Sequence, residues 1–195
     1  MDSPLYKYIK EYSSTPLYQE DFDEILTYFI PKKLKKRSYF LQEGEVCEYV
    51  GFIIKGAMRE YYVDNKNREY IVNLYVENWW VRNRESWVMS TPSKYNIDTW
   101  EDSELILITK ENFIKLKEKF PSFNEMVTTM DERNIIATQN RVTLSISLNA
   151  EDQYQNFIDK HEYFFKRFPQ HVIASYLGIS KDTLSRLRRR MKNKN

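Results

Sequence analysis

The sequence predicts an α+β chain: N-terminal helices, an antiparallel β-roll or jelly roll, a long connecting helix, and a C-terminal helix-turn-helix of the winged-helix type. Three observations predict it. Residues 35–108 break into short alternating or apolar runs separated by turn residues, whereas the flanking segments space their apolar residues as helices do. Residues 122–147 form a helical stretch too long for an average globular helix. Residues 169–191 read as two short helices joined at a single glycine. The expected division is a β-roll unit with its N-terminal helices over 1–120, a connecting and dimerisation helix over 121–148, and a helix-turn-helix over 149–195.

Taken in order, Leu5, Tyr8, Ile9 and Tyr12, then Phe22, Ile25, Leu26 and Phe29, make two apolar stripes broken at Pro16, and Pro31 ends this section. Strands are expected at 39–41, 50–54, 58–63, 69–75, 97–100 and 105–109, with turns at Glu43-Gly44-Glu45, Lys55-Gly56 and Asp64-Asn65-Lys66-Asn67. Many short strands with turns between them suit an antiparallel barrel or jelly roll. Thr109 stands where an N-cap is needed before 110–119, and Pro121 opens the long helix. Its apolar positions include Phe123, Met126, Met130, Ile136, Ala137 and Val142. Such a helix suits pairing with a copy of itself; the alternative is packing on its own barrel. Asn149 and Ala150 begin a further helix carrying Tyr154, Phe157 and Ile158.

In the last stretch Ile173, Ala174 and Leu177 form an inward face, and Gly178 supplies positive φ for a sharp turn at little steric cost. Ser180 caps the next helix, in which Leu184, Leu187 and Met191 recur on one stripe. Asp182, Ser185, Arg186, Arg189 and Arg190 then point away from the core. Seven basic residues and one acid fall within 169–195, a net +6, whereas the whole chain carries +2, which leaves −4 on residues 1–168. Positive charge gathered at one end is a footprint for phosphates. Polar side chains pointing outward from a helix after a tight turn suit the major groove of duplex DNA.

Composition narrows the remaining classes. Cys47 is the only cysteine, so no intrachain disulfide or cysteine-ligated iron–sulfur cluster is available. It is expected to be a small core residue, with a redox-sensing thiol as the alternative. His161 and His171 have no metal-ligand spacing with Cys47, so neither metal nor other cofactor is expected. No apolar run approaches a membrane span and the N-terminus lacks an apolar signal core, so a cytoplasmic place and no membrane partner are expected. No catalytic residues are assigned and an enzyme is not expected. There is no Ser-His-Asp set, phosphate loop or dinucleotide fingerprint, and the β region has no histidine for a cupin-like metal site.

Two sets of residues carry a resemblance to a known family. Leu41-Gln42-Glu43-Gly44-Glu45 followed by Gly51-Phe52-Ile53-Ile54-Lys55-Gly56-Ala57 resembles the early β-roll signature of the cyclic-AMP receptor protein/FNR (Crp/Fnr) family of bacterial transcription regulators, an L-x-x-G-E turn and then an F-I-x-x-G strand and turn. Ala174-Ser175-Tyr176-Leu177-Gly178-Ile179-Ser180 with Thr183-Leu184-Ser185-Arg186 is similar to that family's turn and recognition helix, closest to its FNR branch in the T-x-S-R core. The resemblance implies a β-roll of the cyclic-nucleotide-binding type and a sequence-specific DNA-binding regulator, homodimeric on an inverted repeat, with RNA polymerase as a further candidate partner. By position, Lys181 or Asp182, with Ser185 and Arg186, would reach base edges, Arg186 matching guanine O6 and N7. Gln170, Thr183, Arg189 and Arg190 would contact phosphates.

The sequence also departs from the family. Members that bind cyclic nucleotides carry a Gly-Glu pair for the ribose late in the β-roll, then an arginine and a small hydroxyl residue for the cyclic phosphate. Here residues 77–87 contain no glycine and Lys94 takes the arginine position, so dependence on a cyclic nucleotide is not expected. Trp79, Trp80 and Trp87, with Lys94, either line a pocket for a flatter, more apolar effector or fill the old cavity as core. The other reading of the chain is a small-molecule sensor or interaction protein that signals through a protein partner, its helix-turn-helix vestigial.

Overall fold

A computed structural model describes residues 3–192, with side-chain environments up to Arg190. Helices α1 (Pro4–Tyr12) and α2 (Gln19–Thr27) precede strands β1 (Ile30–Leu34), β2 (Tyr39–Leu41), β3 (Tyr49–Lys55), β4 (Met58–Val63), β5 (Glu69–Tyr75) and β6 (Trp80–Val81). A short helix α3 (Arg84–Met89) leads to β7 (Asn96–Thr99) and β8 (Ser103–Thr109). Helices α4 (Lys110–Lys119), α5 (Pro121–Ser147), α6 (Ala150–His161), α7 (Phe164–Arg167), α8 (Gln170–Tyr176) and α9 (Lys181–Lys192) complete the chain. The strands make two four-stranded sheets, ordered β1-β8-β3-β6 and β2-β7-β4-β5. The α+β class and the antiparallel roll are therefore as the sequence predicts.

The chain forms two compact units. The first comprises Met1–Glu60 and Tyr75–Ile135, the second Tyr61–Leu74 and Ile136–Asn195. In the first, β3 lies between β8 and β6, and Val50, Phe52 and Ile53 are all fully buried. Neighbouring residues of a strand point to opposite faces, so both faces of β3 are covered, and its sequence is a continuous apolar run. Gly56 (φ +110°) turns the chain into β4 so close to β8 that an added Cβ would lie 2.7 Å from the Ser103 Cα. Leu5, Ile9, Phe22 and Ile25 of the N-terminal helices join the same core, as do Phe123, Met126, Val127 and Met130 of α5. Glu125 fastens the loop between α1 and α2. Its carboxylate accepts the hydroxyls of Ser14, Thr15 and Ser13 and the Thr15 N–H, which hold it well below the usual carboxylate range.

The second unit is helical apart from the outer part of the β4–β5 hairpin. Its helices bury Tyr154, Phe157, Phe164, Phe168, Val172, Ile173, Ala174, Leu184 and Leu187, and its hairpin buries Tyr61, Ile71 and Leu74. Rings carry much of it: the Phe157 centroid lies 5.9 Å from Phe164, 5.5 Å from Phe165 and 5.7 Å from Tyr176.

Two expectations need correction. A strand begins at Ile30 and contains Pro31, where the helical section was expected to end; β1 is an edge strand, which tolerates a residue with no N–H to donate. Strand β6 and helix α3 lie in a stretch with no expected element, and Asn83 caps α3 by accepting the Ser86 N–H. Among the described residues no strand follows Thr109. By compactness, residues 61–74 belong with the C-terminal unit and α5 is divided between the two units.

Candidate nucleic-acid interface

The turn that places α9 is set by main-chain bonds. Ile179 N–H bonds to Ala174 O (3.0 Å) and Gly178 N–H to Ser175 O (3.1 Å), the paired closure of a Schellman motif. That closure needs a left-handed residue after the helix, and Gly178 has φ +70° with open space where a Cβ would be. The glycine is there for its conformation, not for a close approach. Ser180 Oγ then accepts the Thr183 N–H at 3.1 Å and caps α9.

Helical period does the rest. Leu184 and Leu187 are buried, while Lys181, Asp182, Arg186, Arg189 and Arg190 are exposed and Thr183 and Ser185 half-buried. The third residue of the expected inward stripe, Met191, lies outside the described side chains. Thr183 Oγ1 sits 2.9 Å from Ser180 Oγ and accepts from Arg186 Nη2 at 3.3 Å. Three residues at three-residue steps thus link the cap to the guanidinium, spending one of its several donors and leaving others for a partner. Gln170 is the first residue of α8 and half-buried, where free helix N–H groups gather. Arg188, which adds to the charge of this end, has its guanidinium 5.5 Å over the Phe165 ring.

Two residues that sequence reasoning missed join the β4–β5 hairpin to α8 within the second unit. Ile71 N–H donates to Ser175 Oγ at 3.0 Å, and Ser175 Oγ donates to Glu69 O at 3.3 Å. Strand β5 is a sheet edge, whose unpaired backbone groups need partners, and Ser175 meets two of them. Arg141 of α5 donates to Val72 O and lies 5.3 Å over the Tyr176 ring. Asp64 orders the hairpin tip. It accepts the main-chain N–H groups of Lys66 and Arg68, and the Arg68 guanidinium beside it holds its carboxyl at about 2.

The four residues expected around an effector do not share one cavity. Trp80 is half-buried, packed among Phe52 (5.1 Å) of β3, Phe29 (6.3 Å) and Phe123 (6.4 Å) of α5, where the sheet meets the helices. Trp87 is buried against Phe113 at 5.9 Å, Trp79 is 38% exposed, and Lys94 is exposed and paired with Glu85 at 3.2 Å. Polar groups of the cassette region are spent internally. Asn83 Nδ2 and the Tyr75 hydroxyl both donate to the buried Glu60, each at 2.7 Å, and Ser86 Oγ donates to Thr91 O at 2.6 Å. Cys47 is buried, its thiol donates to Tyr49 O, and burial pushes its pKa up. Among the described residues no group of three or more His, Cys, Asp or Glu side chains is placed to hold a metal ion, and no helix is long and apolar enough to cross a membrane.

A β-roll, a long helix and a capped, basic helix-turn-helix thus follow one another in one chain. Residues 31–120 match the family described as the cyclic nucleotide-binding domain. Among solved structures the chain is similar to FixK2 from Bradyrhizobium japonicum, with 15% identity and a TM-score of 0.74 over 85% of each chain. It is also similar to a mutant of CooA from Carboxydothermus hydrogenoformans, with 16% identity and a TM-score of 0.71 over 99% of this chain and 86% of that one. A third is the Thermus thermophilus catabolite activator protein, at 16% identity and a TM-score of 0.58 over 98% of this chain and 88% of that one. No curated relative matches by sequence. The chain has the fold of these solved structures, and residues 77–87, late in its β-roll, contain no glycine.

Proposed function

We propose that this protein is a sequence-specific DNA-binding transcription regulator that acts in the cytoplasm, as a homodimer on an inverted repeat, without a cyclic nucleotide. The observation that carries this reading is α9. It is capped by Ser180, aimed by the Gly178 turn, buried along Leu184 and Leu187, and it turns Lys181, Asp182, Ser185 and Arg186 outward. Each subunit lays α9 in a major groove, with half-sites about 34 Å apart. Arg186, braced by Thr183, reads guanine, while Gln170, Arg189 and Arg190 hold phosphates. RNA polymerase is the further partner such a regulator needs, and the function is binding, not catalysis.

The dimer is supported by α5. Its first third packs on the roll, but Ile135, Ile136, Val142 and Ile146 are 48%, 56%, 50% and 80% exposed. Ile135, Val142 and Ile146 follow one another at seven and four residues, a heptad seam. Beyond Met130 α5 leaves this apolar stripe in water, and a second copy covers it. Independence from cyclic nucleotides is supported by the lack of a glycine in residues 77–87 and by the pairing of Lys94 with Glu85.

Selection of bound duplexes from a random library, by wild type and Arg186→Ala without added ligand, tests the reading. The expected result is an enriched inverted repeat that loses one base preference per half-site in the variant. No enrichment, or a repeat unchanged by Arg186→Ala, overturns it.

A further inference from the structure

Between α3, α4 and α5 lies an open cleft of about 710 Å3, lined by residues of the first unit alone. Of the four residues expected around an effector only Trp87 lines it. Trp87 and Phe113 form its floor, 6% and 5% exposed. Its lip is apolar as well: Val88, Met89 and Ile114 are 58%, 67% and 47% exposed. Three large apolar side chains side by side in water mark a surface that is covered when in use.

The charges around this apolar patch do not balance. Arg82 and Arg84 both bond to the single carboxylate of Asp131, so one counter-charge serves two guanidiniums. Lys110 donates to neutral acceptors, Val88 O and Ser90 Oγ. Lys117 stands on the same face of α4 as Lys110, Phe113 and Ile114, at helical spacing. The other acid in the lining, Glu85, is paired with Lys94. The result is a positive excess beside an apolar floor, where an anion is held more firmly than in open water. The volume is in the range of small-ligand sites.

We propose that this cleft binds a small amphiphilic anion, a medium-chain or aryl carboxylate. Its head lies among Arg84, Lys110 and Lys117 and its apolar body covers Trp87, Phe113 and the lip. The proposal stands apart from DNA reading, because its test contains no DNA.

The test is calorimetric titration of the full chain with sodium decanoate below its micellar concentration. Acetate serves as the head alone and decyltrimethylammonium as the same tail with opposite charge. Decanoate is expected to bind saturably, one per subunit, at least tenfold more tightly than either control. Lys117→Glu is expected to weaken decanoate at least tenfold, whereas Lys32→Glu, the same charge change on β1, leaves it unaltered. Ile114→Ser on the lip, expected to weaken decanoate likewise, serves if Lys117→Glu does not fold. Equal binding of all three probes overturns the proposal. So does a decanoate affinity that neither cleft variant moves while its Tm stays at the wild-type value, or binding of an acidic amphipathic peptide but not of decanoate.

Discussion

At the scale of single residues, the roll depends on a few polar groups buried with their partners. Arg59 forks onto Asp98, Nε to Oδ1 at 2.9 Å and Nη2 to Oδ2 at 3.0 Å, and both residues are 8% exposed. The Arg59 guanidinium also lies 5.2 Å over the Trp100 ring. Asp98→Ala removes both bonds of the fork at once from a buried place, so it is expected to cost about 3 kcal/mol in urea unfolding. A cost below about 1 kcal/mol would mean that water reaches the guanidinium when the carboxylate is gone. The residues that place α9 and its neighbours divide by range. Gly178 and Ser180 were legible in the sequence, because a turn closure and a helix cap are bonds between near neighbours. Ser175 and Arg141 were not: their partners lie 104 and 69 residues away, and a serine on a helix has no pattern that announces a strand edge.

At the scale of elements, the β4–β5 hairpin and α5 each carry a prediction. Ser175→Ala removes the acceptor of the Ile71 N–H and the donor to Glu69 O. Amide hydrogen exchange at Ile71 is expected to speed up several-fold while the amides of α9 keep their protection. Unchanged exchange at Ile71 would show that the hairpin is held by Arg141 and its apolar contacts instead. For α5, Val142→Glu sets two like charges facing each other across a heptad seam. Light scattering is expected to show the mass shifted to monomer; an unchanged dimer would place the interface elsewhere. The sequence left open whether α5 packs on its own roll or pairs with a copy. The structure divides the helix, burying Phe123, Met126, Val127 and Met130 and exposing the apolar residues beyond them.

At the scale of the whole molecule, charge is segregated, with a net +6 within 169–195 of a chain that carries +2. Binding through such an end releases counterions, so log affinity for the operator falls linearly with log salt. Arg190→Ala, an exposed position, is expected to shallow that slope by about 2 for a dimer, roughly one phosphate contact per subunit, without changing the selected sequence. An altered base preference in that variant would make Arg190 a reader of bases, not of phosphate. The same test separates Arg190 from Arg188, whose guanidinium is already placed over Phe165.

The sequence by itself determined what short-range physics determines. Alternation and turn residues specify the strands of the roll, helical spacing specifies the inward and outward faces of α9, and Gly178 and Ser180 specify the join between the last two helices. Tertiary structure alone decided what each exposed or aromatic side chain meets. It packed Trp80 against the core and left Trp79 at the surface, set Pro31 on an edge strand, joined β5 to α8, and gathered a cationic excess around an apolar cleft. The physical reason is that burial and charge balance are sums over neighbours brought in from distant parts of the chain, whereas caps, turns and periodicity are completed within a few residues of where they begin.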